Sequence, residues 1–372
     1  MWQVSIVPEW RVAAPHGQPL PLPALLRVLT AIHEGGSISA AARAAGISYR
    51  NAWGLLRDFE REFGAPLVVK SRGQGTRLSA LAEKLLWADR RIAARLQPTL
   101  QSLASELEGD LEAVLQPARA SLRINASHGF AVAALLDALN AQGAPVDLKY
   151  RNSTEAAAAL ARQECDLAGF HVAIGPLQPQ SAQPYRQWID RRRHVLLHLA
   201  YRTQGLMVAA GNPLGIEGIA DLARSDVRFV NRQRGSGTRL LLDLLLQKQK
   251  IAPAAVRGYE QAEFTHAAVA AYIASGMADC GFGLETAARR FNLGFIPVLR
   301  ERYFFACERD ALERAPLKQV RALMQGKAFR EVVNALPGYD GRMAGRVVEV
   351  EKGLGAVEVD VGAAAGRRVR RR

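Results

Sequence analysis

The apolar residues of this chain recur every second residue in some stretches and every third or fourth in others, and the switches between these periods divide it into units. From Trp2 to Val12 the alternation predicts a strand. A Pro/Gly-rich stretch then leads to a helical run, Leu22 to His33, that Gly35 and Gly36 terminate. In SISAAARAAGISYRNAWGLLRDFEREFG, Ser37 or Ser39 caps a short alanine-rich helix, Gly46 turns the chain, and Ser48 caps a second helix. On that second helix Ala52, Leu55, Leu56, Phe59 and Phe63 share one face, which leaves Tyr49, Arg50, Trp53 and Arg57 on the other. Leu67 to Val69 reads as a strand, Lys70 to Arg77 as a basic glycine-bearing hairpin, and Ser79 as the cap of a helix from Ala80 to about Leu115.

That long helix repeats Leu81, Leu85, Ile92, Leu96, Leu100, Leu103, Leu107 and Leu111, a stripe that needs a partner surface: its own domain or, as its length favours, a second copy. Pro98 predicts a kink. After a hinge at Gln116 to Ala120, strands alternate with helices. They run as SLRINAS, a helix to Leu139, VDLKYR, a helix from Thr154, and CDLAGFHVA, with further strands at Gly205–Ala209, Val227–Asn231, Asp279–Gly283 and Phe295–Pro297. This rhythm predicts an α/β domain with a mainly parallel sheet in two lobes. The expected fold is therefore α/β multi-domain: a winged helix-turn-helix head at 1–78, a linker and dimerisation helix with hinge at 79–120, an α/β domain at 121–337, and a short extension with a disordered basic tail at 338–372.

Charge and motifs narrow the chemistry. A net charge of +14 favours a polyanionic partner, because Lys and Arg release counterions from phosphates. No apolar run approaches the roughly 20 residues of a bilayer span and the N-terminus lacks a secretory pattern, so cytoplasmic residence is expected. Cys165, Cys280 and Cys307 read as buried thiols of a reducing compartment without metal-ligand spacing. The chain has no GxxxxGK[ST], GxSxG, HExxH or complete GxGxxG, which argues against an enzyme, including a phosphate-handling one. Tyr49, Arg50, Trp53 and Arg57 suit a major groove, where Arg bonds guanine edges or phosphate and aromatic rings meet thymine methyls and sugars. Ser37, Ser39 and Ser48 at the helix starts, and Lys70, Arg72 and Arg77 in the hairpin, complete the expected contacts to double-stranded DNA.

Gly36 to Leu86, with LSALAEKLL after the hairpin, resembles the winged helix-turn-helix of LysR-type regulators, and ISYRNAW at Ile47–Trp53 is similar to its variant in molybdate-responsive ModE-type regulators. The resemblance implies a homodimer, with tetramers left open, reading an inverted repeat with the helix Ser48–Glu62 in the groove. Gly54 departs from it, since LysR-type proteins often carry a bulkier polar residue there. The rest resembles a type II periplasmic-binding-protein-like domain found fused to such heads and in molybdenum-related proteins. The motifs are NRQRGSGTRLLLDLLL at Asn231–Leu246, GLMVAAGNPLGIEGIADLA before it and GMADCGFGLETAA after it. That resemblance implies a small ligand between two lobes.

The loops of this domain point to an anion rather than to a metal or bound cofactor. In RGSGTR, Gly235 and Gly237 permit close backbone approach, Ser236 and Thr238 offer hydroxyls or simply cap, and the following helix aims its N–H groups forward. Similar helix starts occur at Ser127 and His128, at Ser153 and Thr154, and at Thr265 and His266. His171 reaches the cleft or is structural; Arg234 and Arg239 neutralise the ligand or are solvated; Tyr303 is a lid hydroxyl or packs. The expected effector is molybdate or tungstate, or a small carboxylate such as formate in control of a molybdoenzyme such as formate dehydrogenase. The rival reading is an architectural DNA-binding protein whose α/β part only mediates assembly.

Overall fold

The computed structural model describes residues 3–13, 20–71, 75–115 and 121–355. The alternation of the N-terminal stretch produces only a two-residue strand, β1 (Arg11–Val12), antiparallel to β2 (Leu20–Pro21). Upstream, no strand edge is offered, and the segment lies along the later long helix instead: Val4 N–H donates to Glu108 Oε1 at 2.7 Å and Trp10 Nε1 to Asp89 Oδ1 at 2.9 Å.

Proline in its first turn and an apolar stripe make α1 (Pro23–Gly35) the centre of the head, with Leu25, Val28, Leu29 and Ile32 buried. Ser37 and Ser48 each accept a backbone N–H three residues on, at 3.1 Å, and so start α2 (Ile38–Ala44) and α3 (Tyr49–Phe63). Ala52, Leu56 and Phe59 of α3 are buried against this core, with Leu55 and Phe63 at its margin. The wing pairs β3 (Val68–Ser71) with β4 (Gly75–Leu78). Gly75 holds φ +77° beneath the Gly36 carbonyl, where a Cβ would sit 2.5 Å from that oxygen. Ser79 Oγ then accepts Ala82 N–H to begin α4 (Ala80–Leu115), 36 residues that remain helical through Pro98.

In the first lobe β5 (Leu122–Ala126), α5 (Phe130–Ala141), β6 (Val146–Tyr150), α6 (Ser153–Ala161) and β7 (Leu167–Ala173) alternate, with β5 parallel to both β6 and β7. The chain passes α7 (Gln178–Ala182) and crosses to the second lobe on β8 (His194–Val208), where β9 (Phe229–Arg232), α8 (Gly237–Lys248), β10 (Ala262–Glu263), α9 (His266–Ala274), β11 (Cys280–Leu284) and α10 (Glu285–Arg290) follow. It returns on β12 (Gly294–Glu308), and α11 (Ala315–Gln325) and α12 (Lys327–Asn334) then cover α5.

The sheet order is β10-β9-β11-β8-β12-β7-β5-β6. It is mixed rather than mainly parallel, because β8 and β12 carry the chain out of one lobe and back, and must run antiparallel to each other and to β11 and β7. Nor does the domain end at 337. Strands β13 (Tyr339–Asp340) and β14 (Val347–Val348) bond to β8, and α13 (Val350–Leu354) buries Val350 and Leu354, which completes the sheet's covering instead of forming a loose extension. The expected hinge at 116–120, Arg72 and the basic tail lie outside the described residues.

On β7, a Cβ at Gly169 would stand 2.4 Å from Tyr303 Oη and 2.8 Å from the Ala126 Cβ, so the missing side chain is what lets Tyr303 reach the Ser127 carbonyl, to which it donates at 3.2 Å. Gly169→Ala should therefore destabilise the domain by about 1–3 kcal/mol through overpacking. An unchanged urea midpoint would show that this crowding is relieved at no cost.

Candidate functional site

Two surfaces concentrate chemistry. On the head, α3 turns Arg50 and Arg57 to solvent, leaves Tyr49 48% exposed, and stacks the Arg57 guanidinium 5.6 Å from the half-buried Trp53 ring. Arg77 is exposed on β4, and Lys70 stands opposite Thr76 in the hairpin register. Ser39 is exposed and accepts from Arg43 at 3.2 Å; Ser37 and Ser48 carry the helix caps already described.

The second surface is a cavity of about 440 Å³ between the lobes. Four helices begin at its wall: Ser127 and His128 precede α5, Ser153 opens α6, Ser236, Gly237 and Thr238 open α8, and His266 opens α9. Each presents N–H groups and the positive end of a helix dipole. Of the other residues expected there, Thr154 and Gly235 line an adjoining cavity, and Thr265 turns away to donate from Oγ1 to Ala94 O at 3.1 Å. Arg234 is 80% exposed at the mouth and pairs with Glu260, while Arg239 is buried and stacks 4.3 Å from the Tyr259 ring. Tyr303 packs in the core and forms no lid.

Sequence reasoning missed the charges at the bottom of the cavity. Arg202 on β8 and Arg232 at the end of β9 both line it, and Arg202 Nε is paired with Glu301 Oε1 on β12. Glu301 Oε2 takes His171 Nδ1 at 2.6 Å. Burial works to raise the Glu301 pKa, but Arg202 and then His171 hold it down, to about 2. A Cβ at Gly237 would lie 2.6 Å from His171 Cε1 and Nε2, so the glycine lets the imidazole rest against the start of α8. Burial, followed by the fields of Arg232 and Arg290, lowers His128 to about 4; burial, then Arg232 and Arg202, keeps His266 well below its ordinary value. Near neutral pH these two imidazoles are uncharged donors and acceptors. Thr238 Oγ1 is held by Gln204 Nε2 at 3.3 Å. The available signal was Arg202 inside the strand-like apolar run HVLLHLAYRTQGLMV and Arg232 at the end of VRFVNR.

Arg232 has no ion pair among the described residues: Nη2 donates to Phe264 O at 2.6 Å and Nε is buried without a partner. Since Glu301 answers Arg202, Arg232 is left without an ion pair at the bottom of a cavity ringed by helix starts and lined also by the exposed Arg151, Arg234 and Glu155. No group of three metal-ligating side chains occurs among the described residues, and none of their helices is long and apolar enough to cross a membrane.

Residues 136–325 match the PBP superfamily domain, and residues 23–83 match the bacterial regulatory helix-turn-helix protein, lysR family. The chain is 30% identical over 200 residues to the uncharacterized protein YvgK of Bacillus subtilis, covering 54% of this chain and 64% of that one. It is 36% identical over 108 residues to the molybdenum-pterin-binding protein MopB of Rhodobacter capsulatus, 28% of this chain and 39% of that one. With the molybdenum transport protein ModE of Azotobacter vinelandii it shares 26% over 158 residues, 40% and 58% of the two chains. The chain thus spans less than two thirds of the length of each of these relatives.

Burial, and then the neighbouring Arg202, depress Arg232 from the usual arginine range to about 9. A cation whose folded pKa is depressed weakens the fold wherever it stays charged, so this penalty is full below pH 9 and fades as pH rises through it. Arg232→Met should leave the ligand-free chain as stable or stabilise it by up to about 4 kcal/mol near neutral pH, with the difference shrinking toward pH 10. Thermal unfolding of the two proteins across pH 7–10 measures this. A loss above about 1 kcal/mol would make Arg232 a structural residue acting through Phe264 O.

Proposed function

We propose that this chain, which belongs to the PBP superfamily and carries a bacterial regulatory helix-turn-helix of the lysR family, is a ligand-responsive transcription regulator whose effector is a small oxyanion. The observation that carries the effector class is Arg232, a buried guanidinium without an ion pair among the described residues, beside four converging helix starts. An oxyanion presents acceptors only, and the cavity floor presents cationic and neutral donors. Molybdate or tungstate is the first choice because MopB and ModE, whose names carry molybdenum, resemble parts of the chain. Formate would use the same donors, and control of a molybdoenzyme gene would follow from either.

On the DNA side, the exposed face of α3 and the wing suit successive contacts to groove and phosphate, and a second copy joined along α4 would read an inverted repeat in the cytoplasm. Ligand closing the two lobes would then change the angle between paired heads. An architectural protein would bind the same DNA but take up no effector.

Calorimetric titration of the full chain with molybdate, tungstate, sulfate, phosphate and formate should show saturable one-to-one binding of one of them, lost in Arg232→Gln; no heat from any would remove the anion reading. For the head, Arg50→Ala should cost about 1–3 kcal/mol on the preferred DNA site and leave anion binding intact. Equal loss on every sequence would recast Arg50 as a phosphate contact.

A further inference from the structure

Resting on the anion reading, we propose that α4 is a third wall of the effector cavity, so that filling the cavity and docking the linker helix are one coupled equilibrium. Pro98 lies inside α4 and has no N–H, so Ala94 O, four residues earlier, lacks the bond that position 98 would supply. Thr265, the cap of α9 in the second lobe, fills that gap with its 3.1 Å hydroxyl donation. Beside it, Arg95 Nε lies 2.9 Å from Glu263 Oε2 on β10.

Two turns of α4 further on, the helix holds the first lobe. Ser102 Oγ accepts Tyr150 N–H at 3.0 Å; Ser105 Oγ accepts Leu148 N–H at 2.8 Å and donates to Val146 O at 3.0 Å. These serines give the outer edge of β6 the partners another strand would supply. Strands β6 and β10 are the two ends of the sheet's strand order, and the one helix bonds the edge of β6 and reaches β10 through Arg95. Pro98 and Thr99, between the two sets of contacts, and Ser102 line the cavity. Narrowing that cavity around an anion moves both lobes against α4. By linkage, whatever tightens the docking of the helix tightens anion binding by the same factor.

The test uses the full chain with sodium molybdate and, in parallel, sodium sulfate. Ser105→Ala and Arg95→Gln loosen α4 from opposite lobes, and neither residue lines the cavity. Each should weaken binding about fivefold or more, and a saturating anion should slow hydrogen exchange of the Leu148 and Tyr150 amides about tenfold in the wild type. Either anion producing these effects supports the coupling. Should Ser105→Ala fail to fold, Arg95→Gln carries the readout, since that side chain is about half exposed. Unchanged affinity in the variants together with unchanged exchange would overturn the coupling and leave the anion reading intact. If neither these anions nor the others in the titration bind the wild type, both readings fall.

Discussion

The antiparallel pairing of β8 with β12 is the constraint on which the cleft depends. Each strand is 15 residues long, far beyond the usual five or six, because each belongs to both lobes: next to β7 at the His194–Glu308 end, next to β11 through β8 at the Val208–Gly294 end. The register sets Glu301 opposite Arg202, which makes the buried ion pair a cross-strand pair. A slip of one residue would turn both side chains to the other face. Two irregularities, between Pro297 and Leu299 and between Tyr303 and Phe304, bracket the segment that carries Glu301. The crossing strands therefore hinge the lobes and fix the charge at the bottom of the cavity.

Such a buried pair does little for stability by itself, since the desolvation of two ions consumes most of their attraction. Its effect is positional. Glu301 anchors Arg202 on one oxygen and His171 on the other, which leaves His171 against the start of α8 and Arg202 beside the start of α5. Arg232 adds a charge that forms no ion pair among the described residues and feels Glu301 only as a smaller opposing field, and four helix starts favour the same sign of ligand. The bottom of the cavity thus favours negative charge, and an anion bound there, as proposed, would lower that cost and draw the lobes together. A ligand shifts a conformational equilibrium only by its differential affinity for the two states, and a guanidinium without an ion pair would supply one for an anion.

Local signals in the chain announced local structure well. Ser48 as a cap, a cap at Ser37 or Ser39 that the structure gives to Ser37, the Ala52–Leu56–Phe59 stripe and the length of α4 were legible because each depends on residues within a few positions. The crossing strands were read only at one end, Gly205–Ala209 and Phe295–Pro297, because period-two alternation vanishes where both faces of a strand are buried. The floor of the cavity was illegible for a related reason. Arg202 and Glu301 are 99 residues apart and meet only through the register, and Arg232 gains its meaning from the carboxylate it lacks. Thr265 was read as a ligand contact because a capping hydroxyl gives no sign of where else it points.

The linker helix gains a second role from its geometry. Ala94, Pro98, Ser102 and Ser105 follow one face of α4 and meet the α/β domain, whereas Leu96, Leu103, Leu107 and Leu111, each more than 40% exposed, lie about half a turn away. A helix that buries one face on its own domain while leaving a leucine ridge on the other keeps both contacts independent in space yet rigidly joined by the backbone between them. Were the cleft to close as proposed, a rotation or shift of α4 would carry toward the ridge and the head, because residues 80–115 form one continuous helix. Pro98 sharpens this, since the carbonyl it leaves open is a point on the helix backbone where the second lobe has taken hold.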